Sequence, residues 1–312
     1  MTDSPLTGIH HVTAFAKDPR KNVEFYTRVL GLRLVKKTVN FDDPMTYHLY
    51  YGDHAGNPGT LLTHFPHPNA KPGVHGSPEL TTTVLSVPTG SLGYWTERLG
   101  GLGVAASTID IAGEPRIAFA DHDGMRFELV ERDASQPAAI DGDVPSEHAI
   151  AGVDAMVAQV PDVAETASFL RDALGFDDAA SGGGRRVLAV GDGGAGRRIE
   201  LEEHAEERRA TMGAGTVHHV AWRVPDSAGQ ADVVDRLRGS RTGVTPVLDR
   251  QYFRSIYFRV PGGVIFEVAT DGPGFDADEP LATLGEALKL PPQYEPRRAE
   301  LEAHLVALTL SE

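Results

Sequence analysis

The sequence predicts an α+β protein assembled from four copies of one βαβββ module and closed by a helical tail. Three observations predict it. Four segments repeat one order of elements: a short strand, a helix, then several strands. Local echoes tie the copies together, FYTRVLGL of the first matching FLRDALGF of the third and GMRFELV of the second matching GVIFEVA of the fourth. Finally, 312 residues with 41% apolar content are enough to bury a core and suit two domains of ordinary size.

The first module runs from Gly8 to about Pro68. It opens on the strand IHHVTAFA. A helix follows in DPRKNVEFYTRVLG, where Val23, Tyr26, Val29 and Leu30 recur at helical spacing and Gly31 is a C-terminal stop. Strands are expected in LRLVKKTVNF, TYHLYYGD and GTLLTHF. The second module starts at LTTTVLSVP, has its helix near SLGYWTERLGG and ends on GMRFELVER. The third starts at AGVDAMVAQVP, carries the helix ETASFLRDALGF and ends on GRRIELEEH. The fourth starts at TVHHVAWRVP, carries QADVVDRLRG and ends on YFRSIYFRVPGGVIFEVAT. The stretch from Asp133 to Glu147, rich in Ala, Pro, Asp and Gln, reads as a linker. The expected division is therefore 1–134 for the N-terminal pair of modules, 148–275 for the C-terminal pair and 276–312 for the tail. In the tail a helix is expected around Arg297 to Leu308, with Leu301, Leu305 and Leu308 as a packing stripe against the body or a second subunit; this stripe makes a homodimer plausible.

Charge and composition remove several function classes. Lys and Arg total 29 against 44 Asp and Glu, a formal net charge of -15, and no basic run stands out. Nucleic acid and anionic membrane surfaces are not expected partners. No apolar run approaches the roughly 20 residues of a membrane span, and the opening MTDSPLTGIHH has no secretory pattern. With no cysteine, disulfides, thiolate metal sites and cysteine nucleophiles are excluded. The expected compartment is the cytoplasm. The Gly-rich GGG and GDGG stretches of module three lack a following Lys-Ser/Thr and are read as loops, not phosphate cradles.

Four such modules with strand-borne histidines resemble the vicinal-oxygen-chelate superfamily of glyoxalase, bleomycin-resistance and extradiol-dioxygenase proteins. The similarity is greatest to its ring-cleaving hydroquinone 1,2-dioxygenase branch. It is carried by IHHVTAFAKDPRKNVEFYTRVLGLRLVKKTVNFDDPMTYHLYYGD, GNPGTLLTHFP, VHHVAWRV, RQYFRSIYFRVPGGVIFEVATDGPGF and the tail LGEALKLPPQYEPRR, so it covers essentially the whole chain. The resemblance implies two open-barrel domains, each formed by a pair of modules around one metal. It also implies Fe(II), with Mn(II) as the alternative, molecular oxygen and a small dihydroxylated aromatic ring of hydroquinone or catechol type.

The repeat itself narrows the ligands. Aligned on their first strands, the modules place His11 and His219 at the same position as Thr82 and Ala155; aligned on their last strands, Glu267 coincides with Thr63, Glu128 and Glu200. Modules one and four then supply His11, Thr63, His219 and Glu267, whereas modules two and three supply no histidine. The inference is that modules one and four share a barrel although they lie at opposite ends of the chain. Two His and one carboxylate with vacant positions is the pattern of non-haem Fe(II) oxygenases. A glyoxalase-type isomerase or lyase would fill the fourth place, which here is Thr63. A non-catalytic binding protein of the same superfamily would lack the triad. Glu128 and Glu200 are read as structural.

The resemblance selects His11 and His219 over the adjoining His10 and His218, because its ligand is the His directly followed by the aliphatic residue. It gives His10 and His218 the role of pocket histidines, and places Arg250 and Tyr257 at the family's spacing: Tyr257 to hydrogen-bond the reacting oxygen, Arg250 to orient a carboxylate or stabilise oxyanion charge. Thr13, two residues beyond His11, shares its strand face. His48, His54, His64, His67, His75, His122, His148, His204 and His304 match no tight metal spacing and are read as loop and surface residues.

Overall fold

The computed structural model describes residues 4–133, 143–204 and 208–308. All four modules are present. The first holds β1 (Gly8–Ala16), α1 (Pro19–Glu24) continued by a π-helical turn over Phe25–Val29, β2 (Arg33–Asn40), β3 (Asp43–Gly52) and β4 (Leu61–Pro66). The second holds β5 (Glu79–Pro88), α2 (Leu92–Gly101), β6 (Ala106–Ile111), β7 (Glu114–Ala120) and β8 (Arg126–Arg132). The third holds β9 (Gly152–Val160), α3 (Val163–Leu174), β10 (Asp177–Asp178), β11 (Arg185–Ala189) and β12 (Arg198–Glu203). The fourth holds β13 (Val217–Val224), α4 (Ser227–Gly239), β14 (Leu248–Asp249), β15 (Arg254–Arg259) and β16 (Ile265–Thr270).

Three of the helices, α1, α3 and α4, start where the sequence offers a cap. Asp18, Asp162 and Asp226 each follow a first strand and accept hydrogen bonds from amides of the first turn, satisfying donors that have no partner inside the helix. Gly31 and Gly175, which end the echoing segments, sit at φ 70° and 72°, a conformation that glycine adopts without a Cβ penalty.

The sheets do not follow the order of the chain. One eight-stranded sheet runs β14-β15-β16-β13-β1-β4-β3-β2 and joins modules four and one; the other runs β10-β11-β12-β9-β5-β8-β7-β6 and joins modules three and two. Each is an open barrel drawing one module from each half of the chain, so the 1–134 and 148–275 segments are not the two sheets. The antiparallel seam of barrel one is β1 against β13, and that of barrel two is β5 against β9.

Both seams carry two β-bulges. In barrel one the pairing steps from Ile9↔Trp222 to His11↔Ala221, and from Thr13↔His219 to Ala14↔Val217, leaving His10 and His218 as the extra residues. In barrel two Thr81 and Asp154 are the extra residues. The bulges thus put Thr82 and Ala155 where barrel one has His11 and His219.

The tail packs on its own chain. Lys36, fully buried, holds Asp278 at 2.8 Å and Glu279 at 2.9 Å. The tail helix α5 (Arg298–His304) is shorter than the sequence reading, with Leu301 buried and Leu305 just past its end. Leu301 and Leu305 belong to the main apolar core and Tyr47 donates to the Val306 carbonyl, so the expected stripe is covered by barrel one. Of the expected linker, residues 134–142 lie outside the described residues. Among the described residues no helix is long and apolar enough to cross a membrane.

Candidate metal centre

The bulges of β1 and β13 aim two imidazoles at one point, and β16 supplies the carboxylate. His11 Nε2 and His219 Nε2 are 3.3 Å apart; Glu267 Oε2 lies 3.3 Å from the first and 2.8 Å from the second. All three side chains are buried. Burial would raise the Glu267 carboxyl, but the His11 and His219 rings beside it hold it well below the usual carboxylate range, leaving an anion. Glu267 Oε2 nevertheless has no aligned hydrogen-bond donor. A buried carboxylate oxygen left this way costs several kcal/mol, on the order of an unpaired buried charge. Three donor atoms at this mutual spacing fit three bonds of about 2.1 Å from one divalent cation, which would satisfy that oxygen. His11, His219 and Glu267 therefore fit a metal.

The surrounding contacts orient the three candidate ligands. Ser255 on β15 donates to Glu267 Oε1. The Nδ1 atoms of His11 and His219 face those of His10 and His218, at 2.9 Å and 2.7 Å. A histidine that offers Nε2 to a metal carries its proton on Nδ1 and donates it. His10 and His218 must then accept at Nδ1 and keep their own proton on Nε2. Burial, with the neighbouring ring of His11 or His219 adding to it, pushes His10 well below the ordinary histidine range and lowers His218 to about 3.

The expected site residues divide by location. His11, His219, Glu267, His218, Arg250 and Tyr257 line one chamber of about 420 Å³, with Phe15, Phe41, Phe65, Leu248, Phe253 and Ile265 as its apolar wall. His10 does not line it. Its ring lies behind His11, packed on Phe253. Thr13 is also withdrawn from the chamber wall: its hydroxyl bonds that of Thr63 at 2.8 Å inside the barrel. Tyr257 takes a hydrogen bond from Arg250 Nε at 3.2 Å, and burial with nearby Glu267 keeps its hydroxyl protonated, pushed well above its ordinary range. The terminal nitrogens of Arg250 are committed to Asp42, at 3.3 Å and 3.0 Å. In this arrangement the ion pair with Asp42 occupies the side of the guanidinium that the sequence reading offered to a substrate carboxylate.

His48 and His64 are corrections of another kind, since both are strand residues rather than loop or surface ones. His48 on β3 lines the chamber and bridges Thr63 Oγ1 at 2.9 Å and the Tyr50 hydroxyl at 2.8 Å. His64 on β4 is buried beside Tyr26. The register makes the position of His48 legible: Tyr50 pairs with Thr63, Ala118 with Glu128, Val187 with Glu200 and Tyr257 with Glu267. Two residues earlier on each neighbouring strand stand His48, Arg116, Arg185 and Ser255, and each bonds the residue at its module's ligand position. Aligning the third strands of the modules would have singled it out.

Comparison with known proteins agrees with this geometry. The model of the Glyoxalase/Bleomycin resistance protein/Dioxygenase superfamily matches residues 8–129 and 152–268. The chain is 42% identical to a Bacillus subtilis (strain 168) protein named "Putative ring-cleaving dioxygenase MhqO", over 98% of this chain and 97% of that one. It is 35% identical to the chlorohydroquinone/hydroquinone 1,2-dioxygenase of Sphingobium indicum, over 95% of each. The crystal structure of a Bacillus subtilis "putative dioxygenase", 41% identical, superposes with a TM-score of 0.94 over 98% of this chain and 99% of that chain. Glyoxalase I from Zea mays, at 15% identity and a TM-score of 0.62 over 85% of this chain and 92% of that chain, shares the fold alone. With the family model covering both barrels and near full-length relatives at 35% and 42% identity, this chain belongs to the glyoxalase/bleomycin resistance protein/dioxygenase superfamily.

Proposed function

We propose that the protein is an Fe(II)-dependent dioxygenase that opens a hydroquinone-like aromatic ring with O2, and that His11, His219 and Glu267 hold the iron. The observation that carries this reading is the incomplete ligand set. Three protein donors converge in a chamber walled by aromatic residues, and the fourth equivalent place is Thr63, whose hydroxyl is tied to Thr13 and His48. That leaves positions for a substrate oxygen and for O2. The relatives named as ring-cleaving dioxygenases support the same reaction class. The same ligand set accepts Mn(II), and the compartment proposed with this reading is the cytoplasm.

When bound, the metal would supply a site for the ionised ring hydroxyl and for O2 and a route for electrons between them. The chain does the rest. Phe15, Phe41, Phe65 and Phe253 bound the chamber with apolar surface that takes up a ring and excludes water. Tyr257 accepts from Arg250, so its own O–H is left to donate to a substrate or developing oxyanion. His218, with Nδ1 occupied by His219, offers Nε2–H as a second donor. In this arrangement His218 stabilises developing oxygen charge.

The test is anaerobic reconstitution with Fe(II), and separately with Mn(II), followed by oxygen-electrode and ultraviolet assays on hydroquinone, methylhydroquinone and catechol. One O2 consumed per ring, with a ring-opened chromophore, is the expected result. Metal binding without O2 uptake on any of the three would overturn the dioxygenase reading in favour of an isomerase or lyase. Failure to bind metal at all would favour a sequestering protein.

A further inference from the structure

Arg250 is the only Lys or Arg among the described residues lining the chamber, and each of its three nitrogens makes a hydrogen bond within the protein. Nε serves Tyr257, and the two terminal nitrogens grip Asp42. Asp42 comes from the turn between β2 and β3, on the opposite module, and its side chain is 71% exposed against 17% for Arg250. Asn40, from the same turn, accepts from the Asp42 amide at 3.0 Å and sets the turn that delivers the carboxylate. The forked grip is the one a guanidinium makes on any carboxylate. A ligand carboxylate in the chamber would compete for the same two nitrogens.

Charge balance points the same way. The chamber holds Glu267, Asp42 and Arg250 as its charged side chains other than histidine. A divalent cation on Glu267 leaves one net positive charge, which a singly ionised ring cancels. A ring carrying an additional carboxylate would bring an unmatched anion into an apolar enclosure, at a cost. Without the Asp42 charge, Arg250 would match it.

We propose that Asp42 is a specificity determinant: by occupying Arg250 it makes the chamber select rings with uncharged substituents and reject carboxylated ones. This rests on the dioxygenase reading above. Asp42 acts through Arg250 and touches no reacting atom, so it is a positioning residue.

The experiment compares wild type, Asp42→Asn, Asp42→Glu and the double variant Asp42→Asn/Arg250→Gln, each loaded with Fe(II). The probes are methylhydroquinone and 2,5-dihydroxybenzoate, whose rings differ in carrying a methyl or a carboxylate. Anaerobic calorimetry gives affinity, and kcat and KM are measured in air. A charged hydrogen bond contributes about 1.5–3 kcal/mol, so Asp42→Asn is expected to bind 2,5-dihydroxybenzoate roughly 10- to 100-fold more tightly than wild type, with the gain in kcat/KM appearing mainly in KM. Asp42→Glu should restore discrimination, and the double variant should lose the gain. The proposal is overturned if wild type already binds the carboxylated ring as tightly as methylhydroquinone, or if Asp42→Asn folds and gains no affinity for it. Should Asp42→Asn fail to fold, Asp42→Ala carries the same expectation. Absence of turnover of methylhydroquinone by wild type would instead remove the underlying reading, so the two failures are distinct.

Discussion

The two barrels have the same framework and opposite interiors. At corresponding places barrel one has His11, His219, Thr63 and Glu267, whereas barrel two has Thr82, Ala155, Glu128 and Glu200. The supporting residues differ as sharply: His48 and Ser255 in the first, Arg116 and Arg185 in the second. Each arginine of barrel two bridges both carboxylates, Arg116 at 2.7 Å from Glu128 and 2.8 Å from Glu200, Arg185 at 2.7 Å and 2.8 Å from the same pair. Its two innermost carboxylates are matched one for one by guanidinium groups, which also reach Glu114 and Glu202 nearer the surface. Barrel one keeps a single carboxylate between two imidazoles, with an oxygen that no donor satisfies. The repeated module thus occurs in one barrel whose buried donors fit a cation and in one whose buried carboxylates are paired with guanidinium groups. The buried carboxylates of barrel two are thus paired within the protein.

Breaking each interior should give opposite phenotypes. The largest effect is expected from Glu267→Ala. Loss of a supporting group around a metal ligand costs about 10- to 100-fold in affinity or activity, and loss of the ligand itself should exceed roughly 100-fold in both. The protein should stay folded, because removing the carboxylate also removes a buried charge. Metal analysis, turnover and circular dichroism check this; full iron occupancy with turnover would refute the ligand assignment. Arg116→Met should do the reverse. It strips one bridge from two buried carboxylates and should cost about 3–5 kcal/mol of stability, read by denaturant unfolding, while iron content per folded molecule stays unchanged. A smaller effect follows on removing the metal. At a free metal concentration of about 100 Kd the holoprotein gains roughly 2.7 kcal/mol, so a chelator should lower the Tm of wild type and of Arg116→Met alike, and leave that of Glu267→Ala unmoved.

This contrast also explains what could be read without a structure. The module order, the capping Asp residues and Gly31 and Gly175 are local signals, and they are visible in a single chain. The assignment of modules one and four to one barrel was legible because only they carry the paired histidines. The bulges were not. A strand pattern alternates faces, so His10 and His11 read as inward and outward alternatives, while the extra residue in β1 turns both rings toward each other. The commitment of Arg250 to Asp42 joins residues 208 positions apart, and no local pattern encodes that. His48 was missed because it was judged as an isolated histidine, not as the counterpart of Arg116, Arg185 and Ser255.

The smallest expected effect concerns a position where barrel one departs from the other three strands for no reason tied to the metal. The residue after each ligand position is His64, Leu129, Leu201 or Val268; the last three belong to the apolar core. His64 is buried against Tyr26, with ring centroids 4.2 Å apart, and neither ring nitrogen has a hydrogen-bond partner. Burial, with the His122 charge adding to it, lowers it from 6.5 to about 3. The folded protein therefore binds this proton less readily than the unfolded chain. The His64 contribution to stability is fully present above pH 6.5 and is lost progressively as the pH falls from 6.5 toward 3, by up to about 1.4 kcal/mol per pH unit. His64→Leu, which copies two of the sister strands, should remove that portion of the acid sensitivity. It should leave stability at pH 7.5 unchanged within about 1 kcal/mol, since the ring nitrogens make no hydrogen bond to lose. Urea unfolding at pH 7.5 and pH 5 measures both quantities. If the difference between the two pH values is the same in His64→Leu as in wild type, the acid sensitivity lies elsewhere, and the departure of this strand from its three counterparts has no titration consequence.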